Sequence, residues 1–122
     1  HFKKHNDIHE HPKGNEILKG VAEILNTTVR QSDTVARYVE EKFVIILPET
    51  GIDYATALAE RLRREVEFYD FPDSEIQPSG RITISLGVAS YREDLKSIDD
   101  LIKNAGAALY RAKEAGRNRV CT

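Results

Sequence analysis

The stretch Asp33–Pro48, DTVARYVEEKFVIILP, decides the fold because it predicts two strands joined by a tight turn. Thr34–Tyr38 is the first predicted strand, and Phe43–Leu47 is an apolar second strand rich in β-branched residues. The four residues between them, Val39–Lys42, form a hairpin tip that carries charge. Central residues of tight hairpin turns often need a positive φ, which favours Gly, Asn or Asp. The β-branched Val39 would be strained in such a turn, so the tip is the unusual part of the hairpin.

The size and composition of the chain limit its class. With 122 residues it is long enough for one domain with one hydrophobic core. Its 40% hydrophobic and 31% charged residues are typical of a globular protein, and a net charge of −2 gives no sign of nucleic-acid binding. No apolar run has the length of a membrane span and no signal-peptide pattern is present, so we expect no membrane contact by this segment.

Cysteine usage indicates the compartment. The single Cys121 allows no internal disulfide and is typical of a reducing environment. We therefore expect the domain to be cytoplasmic, whereas a full-length protein that contains it could be membrane-anchored.

The spacing of apolar residues predicts three helices and two further strands. Glu16–Arg30, Asp53–Glu67 and Ser97–Ala115 have apolar residues at helical intervals. Arg81–Ser90 alternates apolar with small or polar residues and is a predicted core strand, and a short strand is expected at Arg119–Thr122. The predicted buried stripes are Ala55, Leu58, Ala59, Leu62 and Val66 in the second helix, and Ile98, Leu101, Ile102, Ala105, Ala108, Leu109 and Ala112 in the third.

Single residues predict helix ends and a close backbone contact. Asn15 is a candidate cap for the first helix. Ser97, followed by Asp100, predicts the start of the third helix, and Gly116 predicts its stop. Gly87, inside the predicted core strand, is expected to permit a close approach of another backbone.

The polar segment His1–Asn15 predicts a short helical turn and then a loop, because Pro12 and Gly14 are common helix breakers. The histidines of this segment are His1, His5, His9 and His11. The first three are spaced four apart, so a helix would align them on one face as metal ligands. A solvated polar loop is the alternative, since no nearby cysteine pair completes a closed metal site.

The tip motif RYVEEKF, followed by VIILP, resembles the signature of the GGDEF family, the diguanylate cyclase domain of bacterial signalling proteins. That signature reads Arg-Tyr-Gly-Gly-(Asp/Glu)-Glu-Phe and precedes an apolar strand and a proline. Val39 and Glu40 replace the two glycines here. Glu41 keeps the carboxylate, and Lys42 replaces the second acid. The segments FKKHND, RITISLGVA and LYRAKEAGRNRV match other parts of the family pattern, so the resemblance covers essentially the whole chain.

The resemblance implies an α/β fold: a ferredoxin-like, cyclase-type α/β sandwich with a central, mostly antiparallel sheet flanked by helices. It also implies that residues 1–122 are a single GGDEF domain, truncated at its N-terminus with the first strand missing. We expect this domain to be part of a larger signalling protein, covalently linked to a sensor or output domain.

Several site residues are implied by the resemblance. Asn6 and Asn15 would recognise the guanine of GTP, although Asn15 stands where the family has Asp. Lys113 and Arg117 would hold the triphosphate. Glu41 is the residual catalytic carboxylate and a candidate metal ligand, with Mg²⁺ expected only if GTP binds.

A second site is implied by Arg30-Gln31-Ser32-Asp33. Arg-x-x-Asp by itself is a weak motif that also suits a helix end leading into a strand. In the family, however, an Arg-x-x-Asp whose Asp lies six residues before the first signature glycine binds the product, cyclic di-GMP, and Asp33 lies six before Val39. Arg30 can bind a phosphate or a guanine edge bidentately, and Asp33 can accept from guanine N–H groups. Arg61 resembles the family's second arginine for this ligand, or else belongs to a solvated basic helix face.

The altered signature predicts impaired catalysis. Val39 and Glu40 place side chains where glycine backbone would approach the nucleotide, and Lys42 would repel a metal. The favoured interpretation is a degenerate GGDEF domain that acts as a cyclic di-GMP-binding regulatory module. One alternative is a diguanylate cyclase with weak residual activity, which joins two GTP molecules across a homodimer. Another is a GTP-sensing or scaffold domain that regulates an attached EAL-type phosphodiesterase.

Overall fold

The computed structural model describes residues 11–37, 42–69, 82–91 and 97–122, with the backbone alone described for 11–16. In these residues the helices are α1 His11–Thr28, α2 Ile52–Glu67 and α3 Ile98–Glu114, and the strands are β1 Thr34–Arg37, β2 Phe43–Ile46, β3 Leu86–Gly87 and β4 Val120–Cys121. No helix in the described ranges combines the length and apolarity that crossing a bilayer requires.

Helix α1 starts earlier than the sequence predicted. It begins at His11, so the predicted loop up to Asn15 is wrong from that residue onward, and Asn15 lies inside the helix instead of capping it. Pro12 and Gly14 lie in the first turn of the helix. Proline is tolerated there because its missing N–H would have had no intrahelical partner.

The end of α1 also differs, by two residues. The helix stops at Thr28, whereas the prediction continued to Arg30. In the last turn the Asn26 amide donates to the Ala22 carbonyl and the Thr27 hydroxyl donates to the Glu23 carbonyl, each at 2.9 Å. Side chains that bond the preceding turn compete with the backbone ladder, which favours an end here.

The predicted hairpin is confirmed. Strands β1 and β2 pair antiparallel, with Thr34 opposite Ile46 and Arg37 opposite Phe43. Strand β2 ends at Ile46, one residue earlier than predicted, and the predicted last residue of β1, Tyr38, lies outside the described residues. The tip residues 38–41 lie outside the described part of the chain, and Lys42 at its end is exposed.

Helix α2 and the core are as predicted. All five residues of the predicted α2 stripe are buried. They face α1, and the apolar sides of the hairpin strands pack against the same cluster. The buried cluster consists of Ile17, Val21, Ile24, Leu25, Leu58, Leu62, Val66 and Ile82. The core therefore lies between the two helices and the strands.

The predicted strand Arg81–Ser90 was wrong in extent. Within the described residues only Leu86–Gly87 is a strand, and it pairs in parallel with Val120–Cys121. Ile82 is nevertheless fully buried. The alternation of apolar residues predicts which side chains are buried. It does not require that every residue is hydrogen-bonded to a neighbouring strand.

Helix α3 has the predicted ends, but only two of the seven residues of its predicted stripe are buried. The Ser97 hydroxyl accepts from the Asp100 N–H at 3.3 Å, so Ser97 is its cap, and Gly116 after its end has a φ of 123°. Ala108 and Ala112 are fully buried, but Ile98 is 57% exposed, against the prediction. A first-turn residue can keep helical spacing and still lie beyond the strands that the helix covers.

Gly87 is where α3 meets β3 most closely. A Cβ at this position would lie 2.2 Å from the Ala105 carbonyl oxygen and 2.2 Å from the Leu109 nitrogen. The predicted close backbone approach is confirmed, because no side chain fits between the strand and the helix at this point.

Candidate functional site: the Arg30 surface

Arg30 and Asp33 close the turn that joins α1 to β1. The Arg30 Nε and Nη2 atoms donate to the two Asp33 carboxylate oxygens at 3.1 and 3.0 Å. The Arg30 backbone N–H donates to the same carboxylate at 2.9 Å, and the Asp33 N–H donates to the Arg30 carbonyl at 3.0 Å. The pair is therefore held by both side-chain and backbone hydrogen bonds, and the spacing of three residues brings the groups together directly.

Two residues from a distant part of the chain complete this surface. Arg30 Nη2 also donates to the Thr50 hydroxyl, which itself donates to the Pro48 carbonyl at 2.8 Å. The Arg30 Cζ lies 4.8 Å from the centroid of the Tyr54 ring, a cation–π distance. The guanidinium thus bonds Asp33 along one edge and lies over the ring of Tyr54. Sequence reasoning missed Thr50 and Tyr54, since they contact Arg30 only after α2 packs on α1.

Arg30 and Asp33 differ in how far their side chains are exposed to solvent. The Arg30 side chain is 41% exposed, and its two Nη1 hydrogens have no partner among the described residues. The Asp33 side chain is 0% exposed, and both of its oxygens accept from Arg30. In this arrangement the Arg30 guanidinium is open to solvent, whereas the Asp33 carboxylate is covered and orients Arg30.

The electrostatics of the pair keep both groups charged. The hydrogen bonds from Arg30 lower the pKa of the Asp33 carboxyl below its usual 3.8. The hydrogen bond to Asp33 raises the pKa of Arg30. Near neutral pH the site therefore presents a fixed guanidinium, which suits phosphate oxygens and the acceptor edge of guanine.

Arg61 lies on the same face of α2 as Tyr54. The two residues are seven apart, which is two helical turns, so they are separated by about 10 Å along the helix axis. Arg61 is exposed, and its Nε lies 3.7 Å from a Glu65 carboxylate oxygen. A pairing this long and exposed is weak, so a ligand can compete for the guanidinium. The structure thus places Arg61 on the face where Tyr54 contacts Arg30.

Both residues that the resemblance assigns to the triphosphate lie at the C-terminus of α3. Lys113 is in the last turn and is half-buried. Arg117 follows the helix with a φ of 63°, and its N–H donates to the Ala112 carbonyl at 3.0 Å. The exposed Arg117 side chain therefore projects from a turn with a defined backbone.

A third arginine has a structural role that the sequence did not reveal. Arg63, which the sequence places on a basic outer face with Arg61 and Arg64, is only 15% exposed. It donates to both Glu60 oxygens at 2.9 and 2.6 Å and to Glu67 at 2.8 Å. The hydrogen bond with Glu60 is the main reason that the pKa of Arg63 is raised and that of Glu60 is lowered.

The Arg63 cluster reaches across the molecule to the turn after α3. Arg63 Nη1 donates to the Asn118 side-chain oxygen at 2.9 Å, and the Asn118 amide donates to Glu67 at 2.9 Å. The Asn118 N–H donates to the Ser85 hydroxyl at 3.2 Å. Asn118 has a φ of 49°, next to Arg117. The only sequence signal for this cluster was the Glu60–Arg63–Glu67 spacing, which places the three side chains within reach on one helix.

Several predicted site residues cannot be placed by the structure. Asn6 and Glu41 lie outside the described residues, and for Asn15 only the helical backbone is described. The described part of the chain also excludes the candidate metal ligands His1, His5 and His9 and the side chain of His11. In the described ranges no group of three or more His, Cys, Asp or Glu side chains could hold a metal ion.

Comparison with known proteins identifies similar chains. A family model described as diguanylate cyclase, GGDEF domain, matches residues 1–119. The chain is 41% identical to diguanylate cyclase A of Treponema denticola over 98% of its own length, and it spans 32% of that relative. It therefore corresponds to about a third of such a protein.

Solved structures with the same fold are also similar. The active GGEEF domain of a diguanylate cyclase from Vibrio cholerae is 32% identical with a TM-score of 0.88, and the match covers 98% of this chain and 74% of that one. The coiled coil and GGDEF domain of DgcB from Caulobacter crescentus, in complex with c-di-GMP, is 31% identical with a TM-score of 0.87 and coverages of 99% and 63%. These similarities confirm the predicted cyclase-type α/β fold.

Proposed function

This chain belongs to the GGDEF family of diguanylate cyclase domains in cyclic di-GMP signalling, and from that premise we propose that it is a degenerate member that binds cyclic di-GMP and turns over GTP poorly. Arg30 contacts the ligand in this proposal, Asp33 orients Arg30, and Arg61 contributes a second cation. The domain then acts as a regulatory module within a longer protein.

One observation carries the binding proposal: Arg30 is locked in place and yet accessible. Its guanidinium has one edge bonded to a buried carboxylate, and among the described residues nothing accepts from its two Nη1 hydrogens, which a ligand can use. Cyclic di-GMP offers phosphate oxygens and guanine edges, which are the acceptors that such a group binds best. The similar DgcB domain was solved with c-di-GMP, which supports the same ligand class for this chain.

Impaired turnover is proposed from the altered signature. Val39 and Glu40 stand in place of the two glycines, and Lys42 in place of an acid. Glu40 would bring a negative charge towards the polyphosphate, and Lys42 would bring a positive charge towards a metal. Removing one preorganised group typically costs about 10²–10³ in rate, so several changes together argue against efficient cyclase activity.

Calorimetry on the purified chain tests the binding proposal directly. Cyclic di-GMP is titrated into the wild type, Arg30→Ala and Lys103→Ala, where Lys103 is an exposed cation on α3. We expect binding to the wild type and to the Lys103 control and strongly reduced binding to the Arg30 variant. Equal affinity in all three proteins would show that Arg30 does not form the site.

A separate assay tests turnover. The chain is incubated with GTP and Mg²⁺, and the cyclic dinucleotide is quantified. We expect product at a small fraction of the rate of an intact GGDEF domain assayed in parallel. Comparable rates would overturn the proposal of a degenerate site.

A second candidate, GTP binding without turnover, is favoured by the Lys113–Arg117 arrangement at the end of α3. Both cations are retained, and the backbone around Arg117 is fixed by its hydrogen bond to Ala112. Such a module would sense GTP and regulate an attached output domain. Titration of GTP into wild type and Arg117→Ala tests this, and absence of GTP binding to the wild type would exclude it.

A further inference from the structure

We propose that Tyr54 and Thr50 act on Arg30 in opposite directions: Tyr54 is a positioning residue that keeps the guanidinium ready for its ligand, and Thr50 competes with that ligand for a hydrogen. The inference rests on the proposed function for the identity of the ligand, cyclic di-GMP. The effect of Tyr54 on Arg30 itself does not depend on any ligand.

Tyr54 acts through the face of the guanidinium. Its ring lies 4.8 Å from the Arg30 Cζ, and it is 46% exposed in the first turn of α2. Asp33 fixes one edge of the guanidinium, and the guanidinium carbon lies over the Tyr54 ring, so the two contacts together limit how the group can move. Without the ring, water reaches that face and the exposed Arg30 side chain gains freedom that a ligand must then remove.

Thr50 acts through the end of the guanidinium. Bidentate recognition uses two parallel N–H groups, and the Nε–Nη2 edge is occupied by Asp33. The remaining edge consists of one Nη1 hydrogen and the Nη2 hydrogen that bonds Thr50. A guanine or phosphate that binds this edge must displace the Thr50 hydroxyl, which keeps its own hydrogen bond to Pro48.

Affinity for cyclic di-GMP should therefore move in opposite directions in two variants. Tyr54→Ala should weaken binding by about 5–30-fold, as expected for the loss of a cation–π contact together with the order that it imposes. Tyr54→Phe keeps the ring and should bind like the wild type. Thr50→Val removes the competing acceptor at nearly constant shape and should tighten binding by about 2–10-fold, the value of one hydrogen bond.

The opposite signs separate this inference from a general loss of stability, which would weaken binding in both variants. Thermal unfolding of all variants is recorded alongside, and no large shift is expected because Tyr54 is exposed. Weaker binding in Thr50→Val would overturn the competition, and unchanged binding in Tyr54→Ala would overturn the positioning role.

A measurement without ligand distinguishes failure of this inference from failure of the proposed function. The ¹⁵N NMR relaxation of the Arg30 Nε–Hε group reports the order of the guanidinium. We expect high order in the wild type and Tyr54→Phe and lower order in Tyr54→Ala. Unchanged order would overturn the positioning role, whereas absence of cyclic di-GMP binding to the wild type would overturn the proposed function and the competition by Thr50.

Discussion

Arg30 and Arg63 have the same functional group and contrasting surroundings. Arg63 is 15% exposed and uses four N–H groups on Glu60, Glu67 and Asn118. Arg30 is 41% exposed and donates three side-chain hydrogen bonds to Asp33 and Thr50, and its two Nη1 hydrogens meet no acceptor within the described part of the chain. An arginine whose donors are used up by the protein stabilises the fold, while one held along a single edge can also bind a ligand.

The contrast teaches that accessibility of the donors, more than the strength of pairing, separates a structural arginine from a ligand-binding one. Both residues pair with carboxylates at hydrogen-bond distance, and the pKa of each is raised by that pairing. Sequence position is a poor guide, since Arg61, Arg63 and Arg64 are neighbours on α2 but only Arg63 bonds across to the turn after α3.

Replacing Arg63 should have the largest effect on stability. Arg63→Ala removes the donor that Glu60, Glu67 and Asn118 share, and it should lower the free energy of unfolding by about 2–4 kcal/mol. Urea denaturation measures the change, with Arg64→Ala as the matched control, because Arg64 is exposed and should cost less than about 0.5 kcal/mol. Equal losses of stability in the two variants would contradict the structural role of Arg63.

Replacing Arg30 should have the complementary effect. Arg30→Ala should reduce affinity for cyclic di-GMP by about 10–100-fold, the value of a bidentate charge-assisted contact. It should lower stability less than Arg63→Ala does, because removing the exposed Arg30 side chain leaves the Asp33 carboxylate open to water. At a temperature where it is still folded, Arg63→Ala should bind as the wild type does. Calorimetry on both variants measures the two affinities. Loss of binding in Arg63→Ala, with binding kept in Arg30→Ala, would contradict the contrast between the two arginines.

Asn118 tests how the Arg63 cluster supports the turn that carries Arg117. With a φ of 49°, Asn118→Ala loses its side-chain bonds and is strained, while Asn118→Gly loses the same bonds without strain. We expect the alanine variant to be less stable than the glycine variant by about 1 kcal/mol, measured by urea denaturation. If the two variants unfold together, the backbone conformation at this residue contributes nothing to stability.

Lowering the pH should weaken the Arg63 cluster, and we expect this to be the smallest of the predicted effects on stability. The folded-state pKa of Glu60 is lowered from its usual 4.5, mainly by the hydrogen bond from Arg63. The ionised Glu60 carboxylate therefore contributes its full stabilisation of the fold at pH values above 4.5, and this contribution is lost as the pH falls through the lowered pKa. Unfolding measured from pH 7 to pH 3 should show a shallower loss in Glu60→Gln than in the wild type. Glu23→Gln, which alters an exposed residue of α1, should keep the wild-type slope.

The elements that the sequence predicted well are those set by local periodicity. The hairpin and the buried stripe of α2 were predicted almost residue by residue, and so was the close approach at Gly87. Errors arose where the periodicity of a segment does not determine which other element it contacts. Arg81–Ser90 alternates like a strand but pairs over only two described residues, and Pro12 marks the first turn of a helix in place of a loop.

By itself the sequence determined the family, the order of elements and the Arg30–Asp33 pair, because periodic burial and a three-residue spacing act within one segment. Only the tertiary structure decided which arginine can meet a ligand. The Thr50 hydroxyl that bonds Arg30 lies 20 residues away, and the Asn118 oxygen that bonds Arg63 lies 55 residues away. Hydrogen bonds across such separations depend on how α2 packs against its neighbours, and no local pattern of residues encodes which donors that packing leaves accessible.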